Sequence, residues 1–162
     1  YQAVPKLDKL ELIIQKSVEL GVNTIVPVLT RRCVSRPTEK DFEKKLVRYR
    51  RIALEAAKQS GRGIIPQVMP IINYDEAIRQ MKEHDCAMML YEQGGVRFSE
   101  VDITKTGTVS LLIGSEGGFD ESEVLKADEA GIKRIWLGDR ILICETAPLA
   151  AVSVTMFLTG NL

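Results

Sequence analysis

Val109-Ser110-Leu111-Leu112-Ile113-Gly114-Ser115-Glu116-Gly117-Gly118-Phe119 contains a change of character halfway along. The first five residues are almost continuously apolar, too few for a helix and suited to a strand buried on both faces. The next five hold three glycines, which permit positive φ and let a ligand approach the backbone without a Cβ in the way. Asp120 then precedes Glu123 at the spacing of an N-cap side chain and a carboxylate three residues later, so a helix begins there. Two more short apolar runs, Cys86 to Tyr91 (CAMMLY) and Arg134 to Leu137 (RIWL), also read as strands buried on both faces, and Asn73 with Glu76 marks another helix start. Strand alternating with helix implies an α/β fold, an open and mostly parallel sheet flanked by helices on both sides. Ligands in that architecture bind beyond the carboxyl ends of the strands.

Nearer the N-terminus, Leu7, Leu10, Ile14 and Val18 recur in steps of three and four, which predicts a helix from Lys6 to Leu20 with Gly21 as its stop. Thr24 to Leu29 (TIVPVL) reads as a short strand, with Pro27 placing it at an edge or an irregular position. Glu39 to Ser60 reads as a long basic helix closed by Ser60-Gly61. The 162 residues are 45% hydrophobic and 27% charged, which fits one globular domain over residues 1–162. No apolar run approaches the roughly 20 residues that a membrane-spanning helix needs, and no signal-peptide pattern precedes Pro5. Three cysteines, an odd number spread widely, point to a reducing, cytoplasmic setting. His84 is the only histidine, which leaves no His/Cys spacing for a metal. The net charge is zero, yet residues 31 to 62 carry eleven Lys and Arg against four Asp and Glu, or +7, leaving −7 elsewhere. Such a region offers a polyanion one side on which to dock.

Three loops follow three of the strands: residues 91–95 (YEQGG), 114–119 (GSEGGF) and 138–147 (GDRILICETA), and all should gather at one sheet edge. The middle loop lacks the Gly-Lys-Ser/Thr ending of a P-loop and is not Gly-x-Gly-x-x-Gly. Glu116 within it would repel a polyphosphate in a poorly screened cleft but tolerates a neutral adenosine or a cationic ligand, which suits S-adenosylmethionine better than ATP. Pro148 fits the first turn of a terminal core helix, with Thr146 or Glu145 as cap, and the segment around Leu142 is placed to offer backbone groups to an adenine edge.

Several ordered motifs carry a resemblance that runs nearly end to end. They are Lys6-x-Asp8-Lys9 followed by Gln15-Lys16-x-x-Glu19-Leu20-Gly21-Val22; Glu55-Ala56-Ala57-x-Gln59-Ser60-x-Arg62-x-x-x-Pro66; Gly114-x-Glu116-Gly117-Gly118-Phe119; and Leu137-Gly138-x-Arg140-Ile141-Leu142-x-x-Glu145-Thr146-Ala147. On these the chain resembles the RsmE family of ribosomal small-subunit RNA uridine N3-methyltransferases, in the SPOUT superfamily. The resemblance implies a C-terminal trefoil knot, a homodimer with the cofactor site close to the subunit boundary, and ribosomal RNA or the small ribosomal subunit as partner. It implies that Leu90, Gly114, Glu116, Gly117, Gly118, Leu137, Gly138, Ile141, Leu142 and Thr146 hold S-adenosyl-L-methionine, and that Arg31, Arg32, Arg36 and Arg62 meet RNA phosphates. Arg140 is the candidate for stabilising developing charge and Glu145 the candidate proton acceptor.

Two departures stand out. Where the family usually reads Arg-x-Glu-Thr-Ala, this chain has Ile143 and Cys144 before Glu145. Family members usually carry a small N-terminal RNA-binding β-barrel, and this chain starts where that domain should already have ended. The expected reaction is displacement at a sulfonium methyl by uridine N3, which lies inside a Watson–Crick pair and must be flipped or single-stranded to react. The alternatives are a related methyltransferase acting on transfer RNA and a non-catalytic RNA-binding or assembly module that keeps the pocket.

Overall fold

In the computed structural model, which describes residues 1–104 and 106–162, the apolar runs become parallel strands and the amphipathic runs become the crossovers between them. The elements in order are β1 (Gln2–Ala3), α1 (Lys9–Glu19), β2 (Thr24–Ile25), β3 (Pro27–Leu29), α2 (Glu39–Gln59), β4 (Gln67–Val68), β5 (Ile72–Asn73), α3 (Tyr74–Met81), β6 (Cys86–Leu90), β7 (Val96–Arg97), β8 (Val109–Leu112), α4 (Glu121–Glu129), β9 (Lys133–Trp136) and α5 (Thr146–Leu158). A single 3-10 turn, Phe98–Glu100, follows β7. One group of strands runs β7-β9-β6-β8 and another β1-β3-β5, with β2 beside β4, and every pairing is parallel. A parallel bridge between Gln2 and Ile113 sets β1 against the end of β8 and joins the two groups. The α/β class, with a parallel sheet covered by helices, is therefore as expected.

Alternation along β6 shows how both faces are covered. Met89 packs with Tyr74, Ile78 and Met81 of α3 and with Val124 and Ala127 of α4. Its neighbours Met88 and Leu90 point the other way, into a cluster with Phe98, Val101, Ile103 and Ala151 of α5. A third cluster seats Leu10, Ile14 and Val18 of α1 against Phe42, Leu46, Tyr49 and Ala53 of α2. Both predicted caps form: Asn73 accepts from the Glu76 N–H at 2.9 Å, and Asp120 with Glu123 makes a capping box.

Four expectations need correction. The first helix begins at Lys9, not Lys6, and Leu7 is off the buried stripe: it is 85% exposed with φ +55°. Thr24 to Leu29 is two strands, not one: the run breaks at Val26, and Pro27 opens β3 between β1 and β5, an irregular position rather than an edge, where the first residue of a strand tolerates proline. β9 is covered less completely than a strand buried on both faces, since Lys133 and Arg134 are exposed. Glu145 takes the N-cap position of α5 without a side-chain cap bond, because its carboxylate is engaged elsewhere.

Candidate functional site

The carboxyl ends of β6, β8 and β9 open onto one cavity of about 370 Å³. Residues 90–92, 113–119 and 135–144 line it, so the three loops do converge. Each is held from behind. The middle loop turns tightly through Ser115 and Gly118, whose N–H donates to the Ser115 carbonyl at 3.0 Å, and Gly118 has φ +63°. A Cβ on Gly118 would sit 3.2 Å from the Glu92 carboxylate, and one on Gly114 would sit 3.1 Å from the Gly118 Cα. A side chain at Gly114 would therefore crowd the backbone of the turn, and one at Gly118 would have to adopt a left-handed conformation that L residues rarely take. Gln2, buried in β1, donates through Nε2 to the Gly114 carbonyl at 3.2 Å.

The last loop differs. The backbone N–H and C=O groups of residues 138–142 make no hydrogen bond among the described residues. Backbone groups beside a cleft seek partners, so this stretch presents donors and acceptors to whatever enters. Ile143 closes the loop by accepting from the N–H groups of Thr146 and Ala147, at 2.9 and 3.0 Å, which starts α5.

Charge is organised around Lys9, the first residue of α1. Its ammonium lies 3.1 Å from Glu116 and 3.0 Å from Glu145, binding the middle loop to the last. The Lys6 N–H donates to both Glu116 oxygens, at 3.1 and 3.3 Å, and the Cys144 thiol donates to Glu145 at 3.0 Å. The positive φ of Leu7 bends the chain so that Lys6 and Lys9 reach the same carboxylate. Hydrogen bonds to Glu145 and then Glu116 raise the Lys9 ammonium well above its ordinary value. Burial alone would raise Glu116, but its own backbone N–H, the Lys6 N–H, Lys9 and Cys144 outweigh that and leave it below the usual carboxylate range. Glu145 is held low first by the Cys144 thiol and then by Lys9. The Cys144 thiol itself is pushed up to about 12, by burial and by its bond to Glu145.

Of the residues singled out in the sequence, Leu90, Gly114, Glu116, Gly117, Gly118, Leu137, Gly138, Arg140, Ile141 and Leu142 all line the cavity. Thr146 and Glu145 do not; Glu145 reaches the site only through Lys9. Arg32 borders it, donating to the Gly117 carbonyl at 3.3 Å, and Arg31 is tied to α4 by its backbone N–H, 2.8 Å from Glu123. Arg36 and Arg62 are occupied by the fold. Arg36 donates to the Thr30 carbonyl at 2.7 Å, and Arg62 to the carbonyls of Val18, Gly21 and Val22 and to Asn23 Oδ1, closing the far end of α1. Lys9, Glu92 and Asp139 line the cavity without having been singled out. Glu92 and Asp139 stand in the first and last of the three loops, and Lys9 had left a trace as the last residue of the Lys6-x-Asp8-Lys9 motif.

The sequence profile of the RNA methyltransferase domain family matches residues 1–156. The ribosomal RNA small subunit methyltransferase E of Bacillus subtilis is 36% identical over 163 residues, covering 96% of this chain and 64% of its own length. Among solved structures, the Neisseria gonorrhoeae small subunit methyltransferase E bound to S-adenosyl methionine is 37% identical with a TM-score of 0.88, over 97% of this chain and 64% of that one. A Legionella pneumophila protein in complex with the same cofactor is 31% identical with a TM-score of 0.91, over 96% of this chain and again 64% of that one. The chain thus spans about 64% of the length of the relatives it matches. A profile match over nearly the whole sequence, on a parallel sheet whose strand ends share one cavity, shows that this chain belongs to the RNA methyltransferase domain family.

Proposed function

We propose that the chain is the catalytic domain of an S-adenosylmethionine-dependent methyltransferase acting on N3 of a uridine in small-subunit ribosomal RNA. The observation that carries this reading is the cavity itself. Its glycine turn disfavours side chains at Gly114 and Gly118, its rim at 138–142 offers unpaired backbone groups of the kind an adenine edge requires, and its charged lining is Glu92, Glu116 and Asp139 against Lys9 and Arg140. An acidic excess favours a ligand with net positive charge, as a sulfonium amino acid has, and disfavours a polyphosphate. The relatives solved with S-adenosyl methionine have the same fold over almost all of this chain.

In this reading the cofactor, when bound, supplies an electrophilic methyl group, and the chain supplies position and charge. Backbone groups of residues 138–142 orient the nucleoside, Leu90, Leu137 and Leu142 exclude water around it, and the Glu116 loop fixes its depth. Placing the methyl in line with an incoming nitrogen accounts for much of the rate. Glu145 and Glu116 act as fixed anions: both carboxyls lie below their ordinary range and are engaged by Lys9, which makes them poor proton acceptors. Uridine N3 must give up its proton, which passes to solvent at this open rim, and Arg140, exposed there, is the group placed to meet the negative charge left on the base.

A knotted path and a second copy belong to the same proposal. Residues 135–144 share the cavity with both earlier loops before α5 packs on the body, which supports the first. Ile141 and Ile143 at the rim are 83% and 63% exposed, which supports a covering subunit there. No helix of the described chain is long and apolar enough to cross a membrane. One observation favours a binding module without turnover, namely Ile143 where related sequences usually have arginine. Calorimetry with S-adenosylmethionine, followed by transfer of labelled methyl to undermethylated small subunits, decides between them. Binding with transfer to a uridine N3 is expected; binding without transfer leaves the module, and no binding ends both.

A further inference from the structure

Eleven basic residues between positions 31 and 62 gave this region its charge, and apart from Arg31, Arg32 and Lys45 the structure separates them into two sets of four. In the first set the cation is engaged by another part of the fold, far along the chain or on the backbone. Arg36 and Arg62 donate to backbone carbonyls, Arg50 donates through Nε to the Val68 carbonyl at 3.1 Å, and Arg48 pairs with Glu11 at 2.7 Å. The second set lies along α2. Lys40, Lys44, Arg51 and Lys58 are all exposed. At about 100° per residue their side chains fall within about 40° of one another around the helix axis, opposite the buried line of Phe42, Leu46, Tyr49 and Ala53, and they span about 27 Å. Lys40 and Arg51 make no ion pair among the described residues. Lys44 and Lys58 pair only with Asp41 and Glu55, three residues before each, in exposed contacts of 3.3 and 3.1 Å that yield readily to a stronger anion.

This ridge is anchored to the pocket. The segment before α2 places the Arg32 side chain on the Gly117 carbonyl, and the Arg31 N–H on Glu123 of α4. Thr38 then caps α2, accepting from the Asp41 N–H at 3.2 Å, and so fixes where the helix that carries the ridge begins. A row of cations along one rigid helix, joined by residues 31–38 to a contact at the cavity border, fits a polyanion whose charges are regularly spaced and of which one unit enters the cavity. Scattered carboxylates of an acidic protein match such a row less well than a phosphodiester backbone.

We infer that the outward face of α2, through Lys40, Lys44, Arg51 and Lys58, is the track that carries the RNA backbone away from the pocket. The inference rests on the functional reading above, and its test keeps the two apart. Labelled single-stranded uridine-rich RNA is titrated with the chain, with the Lys40→Gln/Lys44→Gln/Arg51→Gln variant and with a control carrying Arg79→Gln/Lys82→Gln/Lys133→Gln, over a range of salt concentrations. S-adenosylmethionine affinity is measured on all three. The ridge variant is expected to bind cofactor as the parent does, to lose about tenfold or more in RNA affinity, and to lower the slope of log K against log salt by about 2, the value for three lost phosphate contacts on a single strand. The control is expected to change less than twofold. Equal RNA affinity and slope for parent and ridge variant, or displacement of the RNA by polyglutamate as readily as by unlabelled RNA, overturns the track while leaving the cofactor site standing. Failure of the parent chain to bind cofactor overturns the functional reading instead.

Discussion

Lys9 is a residue whose role comes from its neighbours. A cation on the first turn of a helix is opposed by the helix dipole, so its position needs a stronger attraction, which Glu116 and Glu145 provide. The sign of the pH dependence follows. Both carboxyls have folded values below their unfolded ones, near 4.3 for a free Glu, so they contribute stability at neutral pH that is lost as pH falls through the folded values. Lys9→Met removes one of the groups that hold both carboxyls low and leaves two anions without their shared cation, so part of that contribution is lost. The gap in urea midpoint between parent and variant should be widest near pH 7 to 8 and should narrow towards pH 4; a gap constant over that range contradicts the assignment. Arg140 makes a different prediction, because nothing in the described chain engages its guanidinium. Arg140→Ala should lower single-turnover methyl transfer on the order of 100-fold while cofactor affinity by calorimetry stays within about threefold. The glycines and Glu116 were legible as part of a loop at the strand ends, where they line the cavity, because residue type alone restricts what can happen there. Lys9 was not, since its partners are separated from it by most of the chain.

At the scale of elements, α4 and the segment after β3 meet through one carboxylate. Glu123 is 3% exposed, and accepts from the Arg31 N–H at 2.8 Å and from the Asp120 N–H at 3.1 Å. The capping spacing revealed the second bond from sequence, whereas the first, across the sheet, required the fold. Glu123→Ala leaves two part-buried N–H groups without their charged acceptor and should cost about 1–2 kcal/mol in denaturant unfolding. It should also free the Arg31–Arg32 segment, raising amide exchange there and around Gly117. A loss below about 0.5 kcal/mol, within the range of ordinary surface changes, would show that the N–H groups find other partners. Helix boundaries were readable to within a few residues where caps spoke for them, as at Asn73 and Asp120. The start of α1 was misplaced because Leu7 obeys the helical period while its backbone adopts positive φ, and periodicity carries no information on φ.

For the molecule as a whole, the cavity joins loops from three separate stretches of chain, so a ligand that fills it should tie the C-terminal half together. Binding to the folded state at a hundred times Kd adds about 2.7 kcal/mol, which for a domain of this size corresponds to a rise in Tm of about 5–10 °C. Thermal unfolding with S-adenosylmethionine should show that rise. S-adenosylhomocysteine, which lacks the sulfonium charge, should give a smaller one at equal concentration; the reverse order would contradict an acidic pocket. The sheet was readable in outline from three apolar runs, but its continuity was not, because β1 is only Gln2–Ala3 and carries no pattern at all.

That short strand has a consequence for the chain as it leaves the ribosome. Gln2 and Ala3 emerge ahead of everything else described here, yet one of their two neighbours in the sheet, the Ile113 end of β8, is made only after α1, α2 and α3. The early half must therefore wait with one flank unsealed, and loop closure across so long a stretch slows the final docking. Until translation passes Ile113, the nascent chain should be cut readily by protease near Val4, and protection there should appear late and together with that of β8.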